Sequence, residues 1–81
     1  MLSAQARVPT DRASRYIAQL CKHFAHKVHA EWTEARGFAD FAWGTCTLIA
    51  EPAAIVLVVE STDAEGLGRV KHVVQDHLER F

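Results

Sequence analysis

The run Ala54-Ile55-Val56-Leu57-Val58-Val59-Glu60 constrains the fold more than any other stretch of the chain. Branched aliphatic side chains in succession suit an extended backbone, so the run predicts a strand. Alternate side chains of a strand point to opposite faces, which sets Ile55, Leu57 and Val59 on one face and Val56 and Val58 on the other. Both faces are therefore apolar. Helices from the same chain can cover one of them, and contiguous apolar surface left on the other usually marks an interaction site.

The remaining segments supply the partners of that strand. Ser3 to Val8 alternates small or apolar residues with polar ones, a short strand pattern closed by Pro9. Thr10 and Asp11 offer caps for a helix over residues 11–25, in which Ala13, Ile17, Leu20 and Phe24 recur at helical spacing, flanked by Tyr16 and Cys21. From Val28 the period changes to two: Val28, Ala30 and Trp32 alternate with His29, Glu31 and Thr33. Glu34 to Gly37 reads as a hairpin turn with Gly37 free to take positive φ, and residues 38–43 as a third strand. Gly44-Thr45 marks a bulge or turn into a strand over residues 46–50, and Glu51-Pro52 turns the chain into the apolar run. Ser61, Thr62 and Asp63 are cap candidates for a closing helix over residues 64–80, with Leu67, Val70, Val74, Leu78 and Phe81 on one face.

This order, strand-helix-four strands-helix, predicts a single α+β domain over residues 1–81. Its form is a two-layer sandwich of a mostly antiparallel sheet of four to five strands with two helices on one face. The sheet face away from the helices carries Ile49, Val56 and Val58, and twofold pairing of two chains through it gives a homodimer.

Charge and composition narrow the function classes. A formal net charge of −1 argues against broad electrostatic binding of nucleic acid. The longest apolar run, Ala53 to Val59, is too short to span a bilayer, and no signal-peptide pattern opens the chain. Two cysteines without an export signal fit free thiols in a reducing cytoplasm.

The densest chemistry lies in Gln19-Leu20-Cys21-Lys22-His23-Phe24-Ala25-His26-Lys27. Cys21-x-His23-x-x-His26 resembles a metal-ligand spacing, but at about 100° per residue an intact helix sets Cys21 and His23 about 160° apart. His23 and His26, about 60° apart, can share a ligand. Two ligands do not close a metal site, so no metal or other cofactor is assigned. Arg15, Lys22, His23, His26 and Lys27 form a basic group suited to a small anionic ligand or an acidic protein partner, and equally to a plain solvated helix face. Trp32, Phe38, Phe41 and Trp43 are aromatic anchors that can line a pocket beside it or supply the core. Cys21 and Cys46 are structural thiols or a redox pair, and their separation is not the C-x-x-C arrangement that lowers a thiol pKa. His77 reads as a histidine at the edge of the core. No triad, paired carboxylates or phosphate loop is recognisable, so no catalytic residue is assigned.

The stretches QLCKHFAHK, GTC, DAEGL and DHLERF, in that order, resemble domain-of-unknown-function family 2218, small bacterial proteins without an assigned activity. The resemblance runs over nearly the whole chain. It implies an accessory role near iron uptake or siderophore handling and supplies no catalytic residue. Members of that family tend to continue a few residues past the ERF at which this sequence ends. Together the readings favour a non-enzymatic, dimeric, cytoplasmic binding or accessory protein. The alternative is a metal- or redox-binding protein using the cysteine and histidines of the first helix.

Overall fold

The structure, a computed structural model, describes residues 2–41 and 44–79, and for residue 70 and residues 73–79 the backbone alone. The chain runs β1 (Leu2–Pro9), α1 (Ala13–Ala25), β2 (His29–Trp32), β3 (Arg36–Asp40), β4 (Thr45–Glu51), β5 (Ala54–Ser61) and α2 (Ala64–Glu79). The five strands form one sheet in the order β1-β5-β4-β3-β2, every neighbouring pair antiparallel. The α+β sandwich expected from the sequence is thus the observed fold. β1 and β2 are the two edges, so α1 carries the chain across the whole width of the sheet.

The apolar run became β5, second from one edge and hydrogen-bonded on both sides. Its alternation sets the layers. Ile55, Leu57 and Val59 join Cys46, Leu48 and Ala39 beneath the helices, where Ala13, Ile17, Leu20, Cys21 and Phe24 of α1 meet them in one buried cluster. α1 lies over β2, β3 and β4, while α2 lies over β5 and β1 and brings Leu67 against the same cluster. Ile17, Leu20, Leu48 and Ile55 are fully buried, and each contributes about 1.5–3 kcal/mol of hydrophobic stabilisation. Phe24 and Phe41 meet edge to face, with ring centroids 5.1 Å apart.

Two local expectations are corrected. Gly37 is not a turn residue. It lies inside β3, paired with Trp32 and Leu48. A Cβ there would sit 2.7 Å from Cys21 Sγ and 2.9 Å from Ile17 Cγ2, so glycine is needed because α1 approaches the strand closely. The turn itself spans residues 33–36, where the Thr33 N–H donates to the Arg36 carbonyl at 2.7 Å. The Ser14 hydroxyl pins it to α1 by donating to the Glu34 carbonyl at 2.6 Å. The second correction concerns the start of α1. The helix begins at Ala13 with Arg12 at the cap position and no side-chain cap. Thr10 Oγ1 instead accepts from the Arg12 N–H at 3.1 Å, which shapes the turn before the helix.

At α2 the cap is made by Asp63, whose Oδ1 accepts from the Gly66 N–H at 2.6 Å. Glu65 and Arg69 pair at 2.9 Å one turn apart. β3 ends at Asp40, and the far end of the strand expected over residues 38–43 falls on residues 42 and 43, outside the described residues. Among the described residues no helix is long and apolar enough to cross a membrane.

The second sheet face is free of helices. Val58 and Ile49 are half-buried there and Phe38 is 37% exposed, yet Val56 is only 5% exposed and Ala54 fully buried. The reason is an ion pair. Arg7 on β1 donates to Glu51 on β4 at 2.9 Å, and β5 runs between these strands. The bridge spans two strand spacings, about 9.6 Å, and the arginine stem lies across the Val56–Ala54 end of β5.

Candidate functional site

Helical periodicity fixes the outer face of α1. Arg15, Gln19, Lys22 and His26 stand four, three and four residues apart, which holds them within about 60° around the axis. The buried residues Ile17, Leu20 and Phe24 centre on the opposite side. Arg15, Lys22, His23, His26 and Lys27 are all exposed. Gln19, Lys22, His23, Ala25 and His26 line an open depression on this surface, whereas Arg15 and Lys27 lie outside its lining. Past the last turn the N–H groups of Lys27 and Val28 both donate to the Phe24 carbonyl, and Lys22 and His23 stand in that turn, where the helix dipole favours positive charge. Chemically, the surface presents several cationic donors to solvent. It suits charge-assisted hydrogen bonds to an anionic group. Being open to water, it lacks the dry setting in which charge stabilisation becomes large.

The thiols belong to the interior. Cys21 and Cys46 are both fully buried and free. Burial, with a smaller contribution from the nearby Cys21, pushes the Cys46 thiol up to about 12. Burial also raises Cys21, against the opposing pull of a hydrogen bond from the Phe38 backbone. Each is held as a neutral thiol, the reverse of an activated nucleophile. α1 thus separates Cys21, on the core side, from the solvent-facing His23 and His26. Among the described residues, no three histidine, cysteine, aspartate or glutamate side chains stand close enough to hold one metal ion. The side chain of His77 lies outside the described residues.

Of the aromatic anchors, Phe41 is buried in the core, while Trp32 and Phe38 are more than a third exposed. Trp32 and Phe38 line a second open depression with Glu31, Thr33, Arg36 and Thr47, which shares no residue with the one on α1. The sequence leaves these aromatics open between a pocket beside the helix and the core because nothing local separates the two; the strand register does. Sequence reasoning also missed the Arg7–Glu51 bridge, whose partners are 44 residues apart and carry no periodic signal.

Comparison with known proteins agrees with this architecture. The solved structure titled "NMR structure of PA4090 from Pseudomonas aeruginosa" superposes with a TM-score of 0.85 at 40% sequence identity, covering 99% of this chain and 83% of that one. No curated protein matches the chain. The pattern of the family described as "Uncharacterized protein conserved in bacteria" (DUF2218) matches residues 5–81. With a match over nearly its full length, the chain belongs to this bacterial family.

Proposed function

We propose that the protein is a non-enzymatic accessory protein that binds an anionic ligand, or the acidic surface of a protein partner, on the outer face of α1, and that it acts as a homodimer. The observation that carries the reading is the open depression lined by Lys22, His23 and His26, set on the side of the helix opposite the core. Exposed basic side chains on a face turned away from the buried cluster present hydrogen-bonding groups to solvent. Pairing draws its support from the helix-free sheet face with Phe38, Ile49 and Val58 at its surface. The finer reading, service in iron or siderophore handling, rests on the family resemblance and names the class of anion to try first.

Isothermal titration with citrate and with an anionic ferric tris-catecholate tests the site. Binding of either probe by the wild-type chain, lost in the His23→Ala/His26→Ala variant at unchanged thermal stability, is the expected result. Equal affinity in the variant would overturn the assignment. Native mass spectrometry of the protein as purified separates the alternative class, since a metal-binding protein retains a metal mass that this reading does not call for.

A further inference from the structure

The sheet ends on two unlike edges. β2 is four residues long and carries His29 and Glu31, whereas β1 runs for eight, paired one to one with β5 over its whole length. Proteins commonly blunt a long edge with a bulge, a proline within the strand or an edge lysine. β1 has none of these: its proline is terminal, and its one charged side chain, Arg7, reaches back across β5 to Glu51. The free hydrogen-bonding groups of the edge follow from the register. The Thr10 N–H donates to the Ala53 carbonyl at 3.0 Å, one step beyond the Pro9–Ala54 pair. Bonded pairs alternate along an antiparallel ladder, so Leu2, Ala4, Ala6 and Val8 turn their N–H and C=O groups toward β5. Ser3, Gln5 and Arg7 turn theirs outward.

We propose that β1 of a second copy of this chain adds to this edge, antiparallel and centred on Gln5, so that the two sheets join into one. In chemical character the strand is close to a palindrome about that residue: Leu2 answers to Val8 and Ala4 to Ala6, with polar Ser3 and Arg7 between them. Gln5 then pairs with the partner's Gln5, and Ser3 with the partner's Arg7, and each pair exchanges both of its backbone hydrogen bonds. On the helix side Leu2 meets the partner's Val8. These side chains are 43% and 37% exposed in the single chain, and their contact across the seam takes apolar surface out of water. A shift of two residues one way would bring Pro9, which has no N–H, into the ladder; the other way would carry Arg7 past the Leu2 end of the partner strand. α2 lies mainly over β5, inboard of the seam, and the two Arg7 side chains stand about 13 Å apart along the strands. Register thus selects a second copy, because the edge is complementary to itself.

This contact is separate from the pairing through the helix-free face, where Phe38, Ile49 and Val58 belong to β3, β4 and β5. A seam of one strand against another is narrow, which makes the association concentration-dependent.

Sedimentation equilibrium of the full chain from about 1 μM to 1 mM compares wild type with Gln5→Pro, Val8→Lys and Phe38→Glu. All three positions are exposed, and an unchanged Tm verifies that each variant folds. Because the Gln5 N–H points away from β5, proline there spares the β1–β5 ladder while removing a donor from the seam. Wild type is expected to associate, Gln5→Pro to weaken the association at least about tenfold, Val8→Lys to weaken it as an edge lysine does, and Phe38→Glu to leave it unchanged. Oxidative cross-linking reads the register. Gln5→Cys sets two Cα atoms about 5.5 Å apart, within disulfide range, and should link rapidly, whereas Ser3→Cys stands about 13 Å from its counterpart and should not. A wild-type chain that stays monomeric throughout, or equal cross-linking of the two cysteine variants, would overturn the proposal. An association that Phe38→Glu abolishes and Gln5→Pro leaves intact would overturn it in favour of the sheet face.

Discussion

Replacing Gly37 by alanine tests the closest approach in the fold. The new Cβ would lie 2.7 Å from Cys21 Sγ, 2.9 Å from Ile17 Cγ2 and 3.4 Å from Leu48 Cδ1. All three neighbours are fully buried, so none can swing into solvent. Overpacking a well-filled core costs about 1–3 kcal/mol, and two contacts below 3.0 Å set this site at the upper end. Removing glycine's freedom in the unfolded chain returns about 0.4–1 kcal/mol. The net loss is about 2 kcal/mol, which for a chain of this length lowers Tm by roughly 8–16 °C. A double-mutant cycle identifies the cause. Cys21→Ala removes the nearer obstacle and leaves Ile17 in place, so Gly37→Ala/Cys21→Ala should be about 1 kcal/mol more stable than the sum of the single changes. Urea unfolding of the four proteins, followed by circular dichroism, measures each value. A Gly37→Ala protein as stable as wild type would refute the steric reasoning, and strict additivity would refute the assignment of the clash to Cys21.

The other consequences concern charge, capping and cover. Cys46 is a neutral thiol in the fold up to about pH 12, against 9.0 for a free thiol, so above pH 9 the unfolded chain loses the proton first and stability falls as pH rises. The loss approaches on the order of 4 kcal/mol by pH 12, and urea midpoints should decline more steeply from pH 8 to 10.5 in wild type than in Cys46→Ala. Asp63→Ala removes the acceptor for the Gly66 N–H and should cost about 1 kcal/mol, read as a lower urea midpoint with unchanged m-value. Arg7→Ala uncovers Val56 whereas Arg7→Met keeps the covering stem, so methionine should retain most of the roughly 1 kcal/mol that alanine loses; equal losses would show that the ion pair, rather than the stem, supplies the stability.

Periodicity made most of the architecture legible. The step from period 3.6 to period 2 at Val28 marks the end of α1, and Ile17, Leu20 and Phe24 announce its buried face before any contact is known. Gly37 was misread because glycine serves two purposes, positive φ and close packing, and only the position of Cys21 and Ile17 above the strand decides between them. Thr10 was misread for a related reason. A hydroxyl before a helix can cap it or close the preceding turn, and here it accepts from Arg12 instead of from an N–H inside α1. The cover over Val56 was not legible at all, since it depends on Arg7 and Glu51 meeting across β5. The cationic outer face of α1 was readable residue by residue because it follows from helix geometry alone.

The division made by α1 also bears on which class of function this fold supports. Nucleophilic catalysis needs a thiol and a base within hydrogen-bond reach, with the thiol inclined to ionise. Here two residues of helix turn the backbone through about 200° between Cys21 and His23, and the thiol points into a core where burial raises its pKa. Bringing the pair together would require unwinding the last turns of α1, which carry Leu20, Cys21 and Phe24 and hence a large part of the buried cluster. The same packing that holds the fold therefore keeps the reactive groups apart, and leaves the imidazoles and ammonium groups facing outward. The helix backbone beneath these side chains is already ordered, so binding there costs side-chain freedom but little backbone freedom. The recognition proposed for α1 and the chain pairing proposed for the opposite side of the sheet would use two exposed surfaces without disturbing the core between them.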